Sequence, residues 1–396
     1  MELSPPQPPD RAGRVVHSHA IARRALVGAA LFALVAVAWA AVVLVRGGSW
    51  WGPLHAFLVG TVLLAISGAS QMFTITWSAS PAPPAWLAVL QRWLVGAGAA
   101  SVLIGVSAEL DPLVWLGAVL VVSGLGALSV SIVRAVRHSL LRRFDLSARF
   151  YLTAFAAGMV GVVLGTILGS GWVVEPYARV RLVHYHLNLV GLIGFTIIGT
   201  IPTFLPTVAH HRAVSGKEAV VAWWLCVAAG VAFFSGLFAP SAMVGIGSAL
   251  VALAGALVLA GILGRLWDKG KGKMAFLQIS AGVVWLIAWA VIDAYGLLLG
   301  NGLAPFSNWT TAAVVTGVGQ VLLGSVAYLA AVLLGPPLGR RLEVFGERLA
   351  LPLIAANAGG IALVLGSAPG AIVGFTVWLA DFAWRLLRQR GLAALS

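Results

Sequence analysis

RLVHYHLNLVGLIGFTIIGTIPTFLP, running from Arg181 to Pro206, decides how the rest of the chain is read. It is long and apolar enough for a helix across the roughly 30 Å hydrocarbon core of a bilayer, which takes about 20 apolar residues. Yet it opens with His184 and His186 and carries Asn188, Thr196, Thr200 and Thr203. Ionisable groups inside such a helix are costly, and by default they mark function.

Measured by the same length rule, eleven more stretches match it. The twelve segments are 25–45, 52–77, 86–107, 113–133, 150–170, 182–206, 219–239, 242–264, 275–299, 310–335, 349–367 and 369–387. Composition agrees: 60% of residues are hydrophobic and 9% charged, against roughly 25% charged in soluble domains, and mean hydropathy is +0.99. The expected architecture is an all-α, twelve-helix protein of a bacterial plasma membrane. Residues 1–24, rich in Pro and without an apolar core, read as a disordered cytoplasmic tail, and residues 388–396 as a short second one. Residues 25–387 then form a single membrane domain. Cys226 is the only cysteine, which excludes an intramolecular disulfide and a thiolate metal cluster.

The basic residues set an orientation. With the N-terminus cytoplasmic, all of the 25 Lys and Arg except Arg46, Arg179 and Arg181 fall on the cytoplasmic side. That is the positive-inside pattern, and it places both termini in the cytoplasm. It also accounts for the net charge of +13 through anionic headgroups, with no need of nucleic acid.

Only His55, His184 and His186 fall within the segments, all near their outer ends. Segment 2 reads His55-Ala-Phe-Leu-Val-Gly60, and segment 6 reads His186-Leu-Asn-Leu-Val-Gly191. A further glycine follows each, Gly68 and Gly199, and prolines close both exits. A period of four helices predicts a third copy in segment 10, where Thr311 to Gly324 has the span of His55 to Gly68 and Pro336–Pro337 close the exit. Thr311 stands there in place of histidine, with Gln320 farther in. The chain therefore reads as three quasi-equivalent four-helix arcs.

Neutral imidazole ligates heme iron, copper and zinc. His184 and His186 stand about 200° apart around a helix, so they cannot serve one metal from one face. His186, the counterpart of His55, is the preferred ligand, with His184 third. Asn188 shares the face of His184 and would hydrogen-bond it. Asp293 in segment 9, if unpaired, is protonated or needs a partner: either it takes the distal nitrogen of a ligating histidine, or it is a snorkelling or protonated residue near the interface. Tyr185 completes this supporting group.

With these residues in view, the chain resembles the large catalytic subunit of heme-copper oxidases and its nitric oxide reductase relatives. By topology the resemblance covers the whole chain; by motif it covers segments 2 and 6. HYHLNLVGLIGFTIIGTIPTFLP also resembles a helix of bacterial membrane proteins described as copper oxidases. The resemblance implies heme b or copper, His55 in the place of a heme ligand, and His184 or His186 in the region that holds copper. It further implies an oxidoreductase or electron-transfer role with oxygen or nitric oxide and a redox partner or small-molecule ligand. Segment 7 (AVVAWWLCVAAG) lacks the family's histidine pair and segment 10 lacks its His-x-His, so full oxygen reduction is not expected. The competing classes are a secondary transporter of a small solute or metal, and a non-catalytic respiratory assembly protein.

Overall fold

The structure is a computed structural model that describes residues 11–139, 141–172, 176–212, 216–302, 307–335, 338–346 and 350–391. Among them there is no strand. The backbone folds into helices α1 (Arg11–Arg46), α2 (Trp51–Ser78), α3 (Ala85–Ser107), α4 (Asp111–Arg137), α5 (Asp145–Gly169), α6 (Tyr177–Val208) and α7 (Lys217–Ser235). Helices α8 (Ala242–Gly270), α9 (Met274–Leu298), α10 (Asn308–Leu333), α11 (Leu338–Gly346), α12 (Ala350–Val364) and α13 (Ala368–Gly391) follow. Helix is the form in which an apolar segment satisfies every backbone group without water. Eleven of these helices are long and apolar enough to cross a membrane, and twelve spans result if Leu338–Phe345 and Ala350–Val364 count as one. The protein is a multi-pass helical membrane protein. The Pro336–Pro337 exit lies outside the described residues.

The tail reading needs correction. Helix α1 begins at Arg11, well before residue 25, and only residues 1–10 and 392–396 of the expected tails lie outside the description. At 36 residues α1 is about 54 Å long, far more than the membrane core requires. Tertiary contacts hold its first turns: Arg14 Nη1 donates to the Ala79 carbonyl at 2.7 Å, and Ser18, fully buried, lies 3.4 Å from Thr76 Oγ1. At the other end α13 continues to Gly391, past residue 387.

The chain divides into two compact units, residues 1–177 and 178–396. In the first, α3 and α4 approach so closely that a Cβ on Gly98 would lie 2.8 Å from the Val121 nitrogen, and one on Gly117 would lie 2.7 Å from the Val102 nitrogen. Small residues thus let the two backbones meet.

In the second unit, Met274 (α9), Ala327 (α10), Phe345 (α11) and Phe382 (α13) share one core. Two buried arginines fasten α11 to α13. Arg341 Nη1 donates to the Gln389 carbonyl at 2.6 Å, and Gln389 Nε2 donates back to the Arg341 carbonyl at 2.8 Å. Arg385 donates to the Val344 carbonyl at 2.8 Å and forms a two-pronged pair with Asp381 at 2.7 and 3.1 Å. Arg385→Ala is expected to cost about 3–5 kcal/mol, because it strands a carboxylate and a carbonyl in a buried place. Arg385→Met with Asp381→Leu should recover most of that loss. Thermal unfolding of the purified variants checks both, and a single variant as stable as wild type would show that the clasp carries no load.

Helices α2, α6 and α10 share an irregularity. Each opens with a few α-helical residues and then widens into a π-helical stretch, Ala56–Val62, His186–Gly194 and Ala313–Val318, before returning to α geometry. Each stretch ends on a hydrogen bond five residues long: Leu63 N–H to Leu58 O, Phe195 N–H to Val190 O and Gly319 N–H to Val314 O. The stretches begin one residue after His55, at His186, and two residues after Thr311. The repeat read in the sequence of these helices is therefore also a repeat of backbone geometry. Short π stretches inside α-helices occur frequently at functional sites.

Candidate functional site: a buried imidazole and carboxylate

The π stretch of α6 opens at the residue that carries the imidazole. His186 is fully buried, and so are Asp293 on α9 and Ser248 on α8. His186 Nε2 lies 2.8 Å from Asp293 Oδ2. Ser248 Oγ donates to the same oxygen at 2.8 Å, and the Tyr185 hydroxyl donates to Asp293 Oδ1 at 3.4 Å. Three aromatic rings wall the imidazole, with centroids 4.1 Å (Tyr185), 5.4 Å (Phe233) and 5.9 Å (Trp289) away. Trp289 is itself fixed, its Nε1 donating to Thr310 Oγ1 at 3.1 Å.

The other ring nitrogen decides the chemistry. His186 Nδ1 lies 2.8 Å from the Leu182 carbonyl oxygen, which can only accept, so Nδ1 carries a hydrogen. Toward Asp293 two forms are possible: Nε2–H donating to a carboxylate, or a carboxyl O–H donating to Nε2. Either way one proton lies between imidazole and carboxylate, and both ring nitrogens are engaged. The arrangement suits the holding and passing of a proton.

Asn188 and His184 form a separate pair, as their shared face implies. Asn188 Nδ2 donates to the His184 carbonyl at 2.8 Å and lies 3.3 Å from His184 Nδ1. The threonines of α6 turn onto their own helix: Thr196, Thr200 and Thr207 donate to the carbonyl four residues back, each at 2.7 Å. Thr203 donates to the Thr200 carbonyl at 3.0 Å. Their hydroxyls are satisfied in place.

His55 lies in the first unit, half-buried. Its ring stacks on Trp51 at 4.3 Å, and its Nδ1 lies 2.8 Å from the Trp51 carbonyl, four residues back. His186 makes the same bond to Leu182, so the two matched histidines share a local conformation. For a neutral ring, that bond puts the lone pair on Nε2, the tautomer in which a ligating histidine is usually fixed.

His55 would suit heme iron or copper by its tautomer. His186 does not fit as placed, since coordination through Nε2 would require Asp293 to release it. Among the described residues no three His, Cys, Asp or Glu side chains gather where they could hold a metal ion.

Sequence reasoning missed Ser248, Phe233 and Trp289. Trp289 also borders an apolar cavity of about 40 Å³, which it shares with Leu189, Val190 and Gly194 of the π stretch and with Ala252 and Gly255 of α8. Lined this way, the cavity offers ordered water no polar partners. No protein-family model matches the chain, and no curated protein matches it.

Proposed function

We propose that the protein is a proton-coupled secondary transporter of a small solute, in which the His186–Asp293 pair takes up and releases the coupling proton. The observation that carries this reading is the engagement of both His186 nitrogens, one of them with a carboxylate as buried as itself, in a membrane span. Intramembrane His and Asp chains of this kind serve proton relays, and short π stretches inside α-helices, here at matched positions in α2, α6 and α10, occur frequently at functional sites. The basic loops favour cytoplasmic termini in a plasma membrane.

The proton is the probe, since it is the species the pair would handle. Proteoliposomes under an imposed pH gradient should take up protons faster with wild-type protein than with Asp293→Asn. Equal rates for wild type, variant and protein-free liposomes would overturn the reading.

A second reading rests on His55. Its Nδ1 bond to the Trp51 carbonyl favours a heme b or copper ligand, and with it a redox or electron-transfer role related to oxygen or nitric oxide. A redox difference spectrum with metal analysis of purified protein separates the two. A heme signal or stoichiometric copper, lost in His55→Ala, would replace the first reading by the second.

A further inference from the structure

The face of α9 that carries Asp293 continues as Trp289, Trp285, Gly282 and Gln278. With 3.6 residues per turn these five positions fall within about 80° of arc. Polar groups meet this face from α10 and α12. Trp289 donates to Thr310; two turns from Asp293, Trp285 Nε1 donates to Asn357 Oδ1 at 2.7 Å. Asn357 Nδ2 in turn donates to Gln320 Oε1 at 3.3 Å and to the Leu353 carbonyl at 2.7 Å. A Cβ on Gly360 would sit 2.5 Å from Thr316 Oγ1 and 2.9 Å from Trp285 Cζ2, so the Thr316 hydroxyl and the Trp285 indole meet at one point beside α12.

Several of these groups are satisfied, but others are not. Thr316 and Gln278 are both fully buried, and Thr316 Oγ1, Gln278 Nε2 and Gln278 Oε1 have no hydrogen-bond partner. Trp378, whose ring carbons lie beside Gly319 one turn on from Thr316, has an Nε1 likewise without one. Each such group costs about 1–3 kcal/mol, and valine at 316 or methionine at 278 would fill the same space without that penalty. Buried polar atoms without protein partners are ordinarily met by internal water.

We propose that this face of α9 is a hydrated proton path joining the His186–Asp293 pair to the Met274 end of the helix, with water at Thr316 and Gln278 completing it. The path rests on the proton-exchange reading of the pair and adds its route. Its titratable end is Asp293 with His186 and Tyr185; every other side chain named along it is neutral.

The test uses full-length protein in proteoliposomes under a pH gradient, with Thr316→Val, Gln278→Met and the hydroxyl-retaining Thr316→Ser. Thr316→Val and Gln278→Met should slow proton uptake several-fold. Their thermal unfolding should be unchanged or later, since neither side chain has a hydrogen bond to the protein to lose and each variant needs no internal water. Thr316→Ser should keep the wild-type rate. If Asp293→Asn abolishes uptake while Thr316→Val and Gln278→Met run at the wild-type rate, the path is wrong and the pair's role stands. If Asp293→Asn itself has no effect, the underlying reading fails. Unfolding of Thr316→Val and Gln278→Met would also overturn the path, because it would give these side chains a structural role.

Discussion

Asp293→Ala will be among the most damaging single substitutions in the second unit. It removes the carboxylate that meets His186 Nε2 and Ser248 Oγ, both at 2.8 Å, and the Tyr185 hydroxyl. Neither His186 nor Ser248 can turn to water, because both are fully buried. Breaking one side of a buried pair costs about 3–5 kcal/mol, whereas replacing both partners by apolar groups is often neutral. His186→Leu with Asp293→Leu should therefore be markedly more stable than Asp293→Ala alone. The chain carries its own reporter, since Cys226 is its only cysteine and lies buried on α7, the helix that also supplies Phe233 to the site. Its labelling by a thiol reagent should be fast in Asp293→Ala and slow in both wild type and the double variant. A slow rate in Asp293→Ala would mean that the carboxylate is not held as described.

Much of this site was legible because its residues are conspicuous. A carboxylate in an apolar segment is protonated or needs a partner, and imidazole in the same half of the membrane is a natural one, so Asp293 with a histidine nitrogen was one of two readings open to chemistry, beside a protonated or snorkelling carboxylate. Asn188 with His184 followed from a spacing of four. Ser248 could not be found this way. It is one small residue in a helix of small residues, and only packing reveals that its hydroxyl meets Asp293. Trp289 was hidden similarly, as one of 16 tryptophans in a chain where indoles also mark membrane interfaces. The start of α1 was misjudged because Arg14 and Ser18 are held by α2 and the turn after it, at a sequence distance that local composition does not sense. The three-fold repeat of α2, α6 and α10 was visible through glycine and proline spacing even where its histidine had become Thr311. Its backbone counterpart was not, because a shift from four-residue to five-residue hydrogen bonds leaves no residue type behind.

That shift leads to the second large effect. A π stretch already holds roughly one residue more than the α-helix around it, so deleting one residue inside it would leave both flanks in register, whereas one alanine inserted after Val190 would not. Everything on the N-terminal side of the insertion then turns by about 100° and moves by about 1.5 Å relative to Phe195 and beyond. His186 and Tyr185 would swing away from Asp293 while the Pro202 end of the helix stays in register. The expected loss matches that of Asp293→Ala, about 3–5 kcal/mol, since the same buried pair is broken from its other side. If this stretch of α6 acts by aiming the imidazole, the insertion placed on top of Asp293→Ala should add little, because the pair is already gone; contacts in one network fail to add. Fully additive losses in Cys226 labelling and thermal unfolding would instead make the stretch a packing feature unrelated to the pair. The matching insertion after Val59 in α2 should leave Cys226 labelling unchanged, as it moves His55 and Trp51 and not His186 or Asp293.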